Sequence, residues 1–357
     1  MADNARSEGW PDLATILQAF GVEHWTHLDL PERSPGMDGA LARIAIAGRP
    51  YLLRERPEVP AAQGNEHVYA FGRYLAGQGL SIAACYLSPQ GEPYVNCGGG
   101  AFELQEWSEG AVFASGDERE KAWISGAGEL LGRLHQASLH YQGPPLRWPA
   151  EAQAGALTQG WLQFASARAQ LCALPALAAA FSALIATWEA ALPAAMMAIG
   201  TGERLPELHI HGDYSPLHLR FGAAGICQIL GLEASRWEKR LLEVAYGVFF
   251  FAGLHWGDMS DLARPLAPRG LDPERAALFL RSYGAVYPPL PGEAARLVDA
   301  LTLLAPILSA NGPLEDLFYG SMPAQEPQAE DALARLAWAT GLPGWLARAR
   351  SALAQMW

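Results

Sequence analysis

Residues Leu208–Glu233 read LHIHGDYSPLHLRFGAAGICQILGLE, and this stretch decides how the rest of the chain is read. A short β-favouring run breaks at His211-Gly212-Asp213, passes through a Ser215-Pro216 turn, and returns as two apolar segments, Leu217–Phe221 and Ile226–Leu232, around Gly-Ala-Ala-Gly. The pattern predicts a loop followed by a β-hairpin. A polar trio on a loop, held still by a small hairpin behind it, is a common way to build an active site.

The composition sets bounds on the function. A chain of 357 residues with 50% apolar and 17% charged residues has ample material for a core and length for about two domains. A net charge of −12 argues against nucleic acid as a partner. Four scattered cysteines, Cys85, Cys97, Cys172 and Cys227, show no metal spacing and read as reduced thiols. No basic and apolar leader opens the sequence, and no uninterrupted apolar run reaches the ~20 residues needed to span a bilayer. The expectation is a cytoplasmic protein without a membrane partner.

Outward from the hairpin, Asp12–Phe20 predicts a short capped helix. Ala40–Ala47 and Pro50–Arg54 predict strands joined at Gly48-Arg49, and Asn65–Gly77 predicts a helix. Ala101–Glu109 reads as a strand, preceded by a hairpin turn at Asn96–Gly100. Beyond Asp117 the period becomes helical, with Leu130, Leu131, Leu134 and Leu139 on one stripe and His135 among its packing residues. Ala152–Ile199 is Ala-rich and helical, with breaks expected at Pro175 and Pro193. Arg240–Leu254, Pro273–Tyr283 and Glu293–Leu308 follow as helices, and Gln328–Met356 as an amphipathic segment broken at Gly341 and Pro343.

Together these stretches resemble the aminoglycoside phosphotransferase, choline kinase and homoserine kinase group. His211-Gly212-Asp213 matches the catalytic loop, Tyr51-Leu52-Leu53-Arg54 the strand carrying a phosphate-binding Lys, and Arg240–Ala245 the motif after the metal-binding strand. The resemblance covers roughly residues 25–310. It implies an α+β, two-lobed protein-kinase-like fold: residues 1–107 as a β-rich N-lobe, and 108–357 as a helical C-lobe with the hairpin 208–233 and a helical insertion at about 152–199. It also implies ATP and Mg²⁺ as cofactors and a small molecule or nucleotide as partner. Asp213 falls at the catalytic base, with His211 beside it. Arg54, its helical partner Glu66, and the hinge residues Gln105, Glu106 and Trp107 fall at nucleotide-binding positions.

The chain departs from the family where the metal is held. His218 stands at the Asn position and Gly231 at the metal-binding Asp; Arg54 replaces the Lys, and the only lysines, Lys121 and Lys239, lie beyond this lobe. Kinase-type transfer works by positioning the phosphates and neutralising their charge through Mg²⁺. Mg²⁺ takes hard oxygen ligands, whereas an imidazole suits borderline transition metals and glycine offers no side-chain oxygen. Glu233, two residues on, is the substitute carboxylate, so the candidate metal ligands are Glu233 and His218. Three readings follow: a catalytically silent relative that acts by binding, an active small-molecule phosphotransferase with altered metal ligation through Glu233, and a structural, partner-binding protein.

Overall fold

The computed structural model describes residues 12–28, 40–55, 65–108, 110–143, 175–200, 205–223, 225–255, 267–268, 271–305, 308 and 326–357. They fall into two compact units. The first draws on Met1–Phe113, Tyr141–Pro144 and Pro216–Glu233, and the second on Ala114–His140, Pro145–Ser215 and Ala234–Trp357.

The first unit opens with helix α1 (Leu13–Ala19), capped as expected by Asp12, whose carboxylate accepts from the Thr15 N–H at 2.7 Å. Strands β1 (Thr26–Leu28), β2 (Ala40–Ile46), β3 (Arg49–Glu55), β4 (Tyr94–Cys97) and β5 (Gly100–Glu106) form an antiparallel sheet in the order β1-β2-β3-β5-β4. The β2–β3 turn lies at Ala47-Gly48, one residue earlier than the sequence suggests, because both residues take positive φ, 49° and 77°. Ile16 and Leu17 of α1, and Phe20 just after it, pack on Ile44, Leu53, Phe102 and Leu104, which are the sheet's apolar face. Helix α2 (Asn65–Gly77) is tied to the sheet by the Tyr69 hydroxyl, which donates to Glu103 at 2.9 Å.

The hairpin of strands β7 (Leu219–Gly222) and β8 (Gly225–Ile229) groups with this unit, whereas the sequence assigns it to the helical lobe. Backbone hydrogen bonds are the cause. Ile229 N donates to Ser81 O at 2.7 Å and Ala83 N to Ile229 O at 3.0 Å, while Ala111 and Phe221 exchange a pair at 2.8 and 2.9 Å.

In the second unit, helix α3 (Glu120–Ser138) lies against α6 (Pro273–Val286). Helix α4 (Pro175–Gly200) packs on the terminal helix α8 (Glu326–Ala354). Pro193 and Pro343 lie inside continuous helices instead of breaking them. For α4, a buried face of Leu177, Phe181, Leu184, Trp188, Leu192, Ala195 and Ile199 offsets the hydrogen bond that Pro193 cannot make. By length and apolar content α4 also meets the requirement for a membrane span, yet Trp188 is fully buried and donates to the Thr302 carbonyl at 2.8 Å. That is the pattern of a helix packed on one side. Strands β6 (Glu207–Ile210) and β9 (Arg236–Lys239) pair, helix α5 (Arg240–Val248) runs into a π-helical turn at Phe249–Gly253, and α7 spans 297–305.

The α3–α6 contact is set by glycine. A Cβ at Gly128 would collide with the Phe279 backbone carbonyl, and one at Gly132 would come within 2.9 Å of Val286 Cβ. Gly126, in the same helix, has nothing within 4 Å. Gly128→Ala should therefore cost about 1–3 kcal/mol through overpacking. Gly126→Ala should instead stabilise by up to about 1 kcal/mol through helix propensity. Urea denaturation midpoints of the two variants check the contrast.

Candidate functional site

Strand register puts Arg54 of β3 opposite Glu103 of β5. Arg54 is 8% exposed and Glu103 1%. From Nη1 of Arg54, the Oε1 atoms of Glu103, Glu233 and Gln105 each lie at 3.4 Å. A buried guanidinium must be paired, since removing one partner of a buried ion pair leaves an uncompensated charge. Here two carboxylates do this, and one of them is the proposed metal ligand. Glu103 was not singled out from the sequence; its signal is a Glu inside an apolar strand, AFELQ, where a charge needs a partner. Glu66 begins the observed helix α2, but its side chain lies outside those described.

Gly231 and His218 sit together. Leu230 N donates to the His218 carbonyl at 2.8 Å, which draws the end of β8 onto the 3₁₀ turn Pro216–His218. Gly231 has φ +72°, and its Cα faces the His218 ring so closely that an added Cβ would be 2.7 Å from Cγ and Nε2. Both features require glycine: the left-handed backbone disfavours other residues, and the imidazole fills the space. These residues do not fit Mg²⁺. The Asp position carries no oxygen, the Asn position is an imidazole packed on Gly231, and Glu233 is bound to Arg54. No cluster of three His, Cys, Asp or Glu side chains suited to a metal ion occurs among the described residues.

The hinge residues are engaged within the chain. Glu106 N donates to Ala84 O at 2.8 Å, Trp107 N to Pro50 O at 3.0 Å, and Ser108 N to Gln228 Oε1 at 3.0 Å. Gln228 Nε2 in turn donates to the Glu106 carbonyl at 2.9 Å. The Glu106 carboxylate lies 3.3 Å from Arg49, and the Trp107 ring, 8% exposed, lies under the Arg220 guanidinium at 4.9 Å. Burial lowers the Arg220 pKa to about 10.

In the second unit the loop 211–213 rests on α5. Glu243, fully enclosed, accepts from His211 N at 3.0 Å, from Gly212 N at 2.5 Å and from His135 Nε2 at 2.8 Å. His135 also bonds the Tyr283 hydroxyl at 2.9 Å, so it is a buried network residue, in line with its expected packing role. Gly212 has φ +88°, and any Cβ would run into the Ala234 carbonyl. One turn after Glu243, the Tyr246 hydroxyl donates to Asp213 Oδ1. Glu243 and Tyr246, spaced i and i+3, thus hold the loop's backbone and its carboxylate from one helix face. Neither was singled out from the sequence, although Glu243 lies in the matched run Arg240–Ala245. Burial would raise the Glu243 pKa, but the His135 hydrogen bond, the charges of His135 and His211 and the Gly212 N–H together carry it below its ordinary value.

Two outcomes are expected. Gly231→Asp should destabilise the chain by about 1–3 kcal/mol through the strained backbone and the His218 contact. The triple variant Arg54→Lys, His218→Asn, Gly231→Asp removes the imidazole and restores two oxygen ligands, so it should gain the Mg²⁺ binding by titration calorimetry that Gly231→Asp alone does not show. The second outcome concerns acid unfolding. A carboxylate with a lowered folded pKa contributes stability above its ordinary value and loses it as pH falls through the folded one. Glu243→Gln should therefore flatten the decline in unfolding free energy below the ordinary carboxylate pKa, measured by urea titrations across that window.

A family model described as APH, phosphotransferase enzyme family, matches residues 34–291. No curated protein matches the chain in sequence. Among solved structures, amicoumacin kinase hAmiN in complex with AMP-PNP, Ca²⁺ and Ami is similar with TM-score 0.62 and 14% identity, over 92% of this chain and 93% of that one. Choline kinase from Cryptosporidium parvum Iowa II has TM-score 0.59 and 12% identity over 91% and 90%. An aminoglycoside phosphotransferase from Alicyclobacillus acidocaldarius has TM-score 0.56 and 15% identity over 99% of each chain. At such identities the structural likeness carries the protein-kinase-like fold. The family match spans well over half of the sequence, and the chain belongs to the APH phosphotransferase enzyme family.

Proposed function

We propose that this member of the phosphotransferase family binds a small molecule without Mg²⁺-dependent phosphoryl transfer. The observation that carries the reading is the Gly231–His218 contact, where the metal-binding Asp of an active relative would stand. Left-handed backbone and an imidazole occupy the place of an oxygen ligand. Two further features support it. Arg54, at the phosphate-binding position, is committed to Glu103 and Glu233. The amide N–H groups of residues 106–108 are all used within the chain. Phosphoryl transfer depends on positioned phosphates and on metal charge, and both requirements are unmet by these side chains. The solved amicoumacin kinase complex, with AMP-PNP and Ca²⁺, illustrates the nucleotide and divalent cation that a fold relative holds.

Asp213 keeps the place of the catalytic base on this reading, with the Tyr246 hydroxyl on its carboxylate and Glu243 beneath its loop. Retaining this scaffold preserves the fold of the loop, which has a structural use independent of transfer.

The test is thermal unfolding with ATP, alone and with Mg²⁺ or Mn²⁺. A ligand specific for the folded state adds about 2.7 kcal/mol at a hundredfold excess over its Kd. No metal-dependent shift is expected at millimolar ATP. A rise that requires Mg²⁺, or transfer of the γ-phosphate to any acceptor, overturns the proposal.

A further inference from the structure

Gln228 of β8 makes a contact with the hinge that the expected site residues do not account for. Its carboxamide accepts from Ser108 N at 3.0 Å through Oε1 and donates to the Glu106 carbonyl at 2.9 Å through Nε2. The two backbone groups fix the orientation of the amide, because the N–H needs the oxygen and the carbonyl needs the NH₂. Both bonds run to one planar group, so Ser108 N–H and the Glu106 carbonyl lie on the same edge of the hinge. That edge recognises a flat group with an acceptor and a donor side by side, and the carboxamide of Gln228 is such a group.

The hairpin holds Gln228 in this place. The residue is 5% exposed, and hinge and hairpin belong to the same compact unit. On one side of it Ile229 is fixed by backbone bonds to Ser81 and Ala83, and on the other Cys227 Sγ lies 3.2 Å from Ser108 Oγ. A cavity of about 540 Å³ adjoins the contact, with Pro50, Ile82, Trp107, Ser108 and Gln228 in its wall. This volume is in the range of small-molecule pockets. An N–H has one hydrogen to give, so while Gln228 accepts it, a molecule in the cavity cannot.

We infer that Gln228 is an internal stand-in for a ligand's hydrogen-bonding edge: it closes the hinge to aminopurines, which bind there once the carboxamide is withdrawn. The inference rests on the proposed silent reading and deepens it by naming the residue that sets the specificity of the hinge. An aminopurine carries a ring nitrogen acceptor beside an exocyclic amine donor, the same pair that the carboxamide offers. Without Gln228, two buried backbone groups would lack partners, which costs more than the bonds contributed. A ligand that meets both groups removes that cost.

The experiment compares the full chain with its Gln228→Ala variant in titration calorimetry against adenine and N6,N6-dimethyladenine, without metal. Gln228→Ala is expected to bind adenine at least roughly tenfold tighter than the unmodified chain, the worth of two hydrogen bonds. N6,N6-dimethyladenine has no N–H for the Glu106 carbonyl and should gain no such advantage. Hydrogen exchange followed by mass spectrometry places the site: the Ser108 amide should exchange faster in the variant and be protected again by adenine alone. Gln228→Asn, one methylene shorter and still polar, should show the same preference and serves where alanine unfolds the hairpin. Equal adenine affinity of unmodified chain and variants, no preference for adenine over its dimethyl form, binding without renewed protection at Ser108, or no binding by either variant overturns the inference. Each of these results leaves the absence of Mg²⁺-dependent transfer standing, whereas γ-phosphate transfer by the unmodified chain overturns the silent reading whatever the Gln228 variants bind.

Discussion

The first unit depends on how a buried guanidinium is neutralised. Arg54 sits in the middle of the sheet, where desolvation of an isolated charge costs several kcal/mol, so its partners must be close and permanent. Glu103 supplies this from the adjacent strand and Glu233 from the end of the β8 segment. With Glu233 Oε1 on Arg54, a metal would compete with the guanidinium for this carboxylate. Arg differs here from the Lys that the family resemblance implies: its planar fork reaches several acceptors at once, whereas an ammonium is a compact point charge.

Within the same unit, the Gly231 backbone and the His218 ring form a second coupled pair. Neither can change alone: a side chain at 231 needs the ring moved, and the ring's place exists because 231 has no side chain. In the second unit the support of the loop 211–213 is kept in full. Glu243 takes two backbone N–H groups and the His135 ring, and Gly212 keeps the conformation that only glycine tolerates beside Ala234. The loop's scaffold is buried and hydrogen-bonded, so any change there costs stability.

Much of this was legible in the sequence, and the limits have physical causes. His211-Gly212-Asp213, the strand ending at Arg54 and the helix from Asn65 are written as local patterns, and the structure places each element within a residue or two. Strand β9 was not visible, because Arg236-Trp237-Glu238-Lys239 has no apolar alternation; it is a strand through pairing with β6. The prolines at 193 and 343 read as helix breaks, but tertiary packing overrode the local rule. The partners of Arg54 could not be read either. A pairing with the helical Glu66 follows from the family pattern, whereas Glu103 and Glu233 reach it through strand register and a chain separation of 179 residues.

Tyr246 shows the same limit at the other end of the site. Nothing about a tyrosine one turn past Glu243 marks it as functional, and burial alone explains an aromatic there. Its hydroxyl acquires meaning from the loop above it, where it donates to the carboxylate of Asp213. Burial first, and then the charge of Asp213, hold the phenol well above its ordinary pKa, so it stays a donor across the physiological range. The Asp213 carboxylate is thereby engaged in holding its loop to the helix that carries Tyr246.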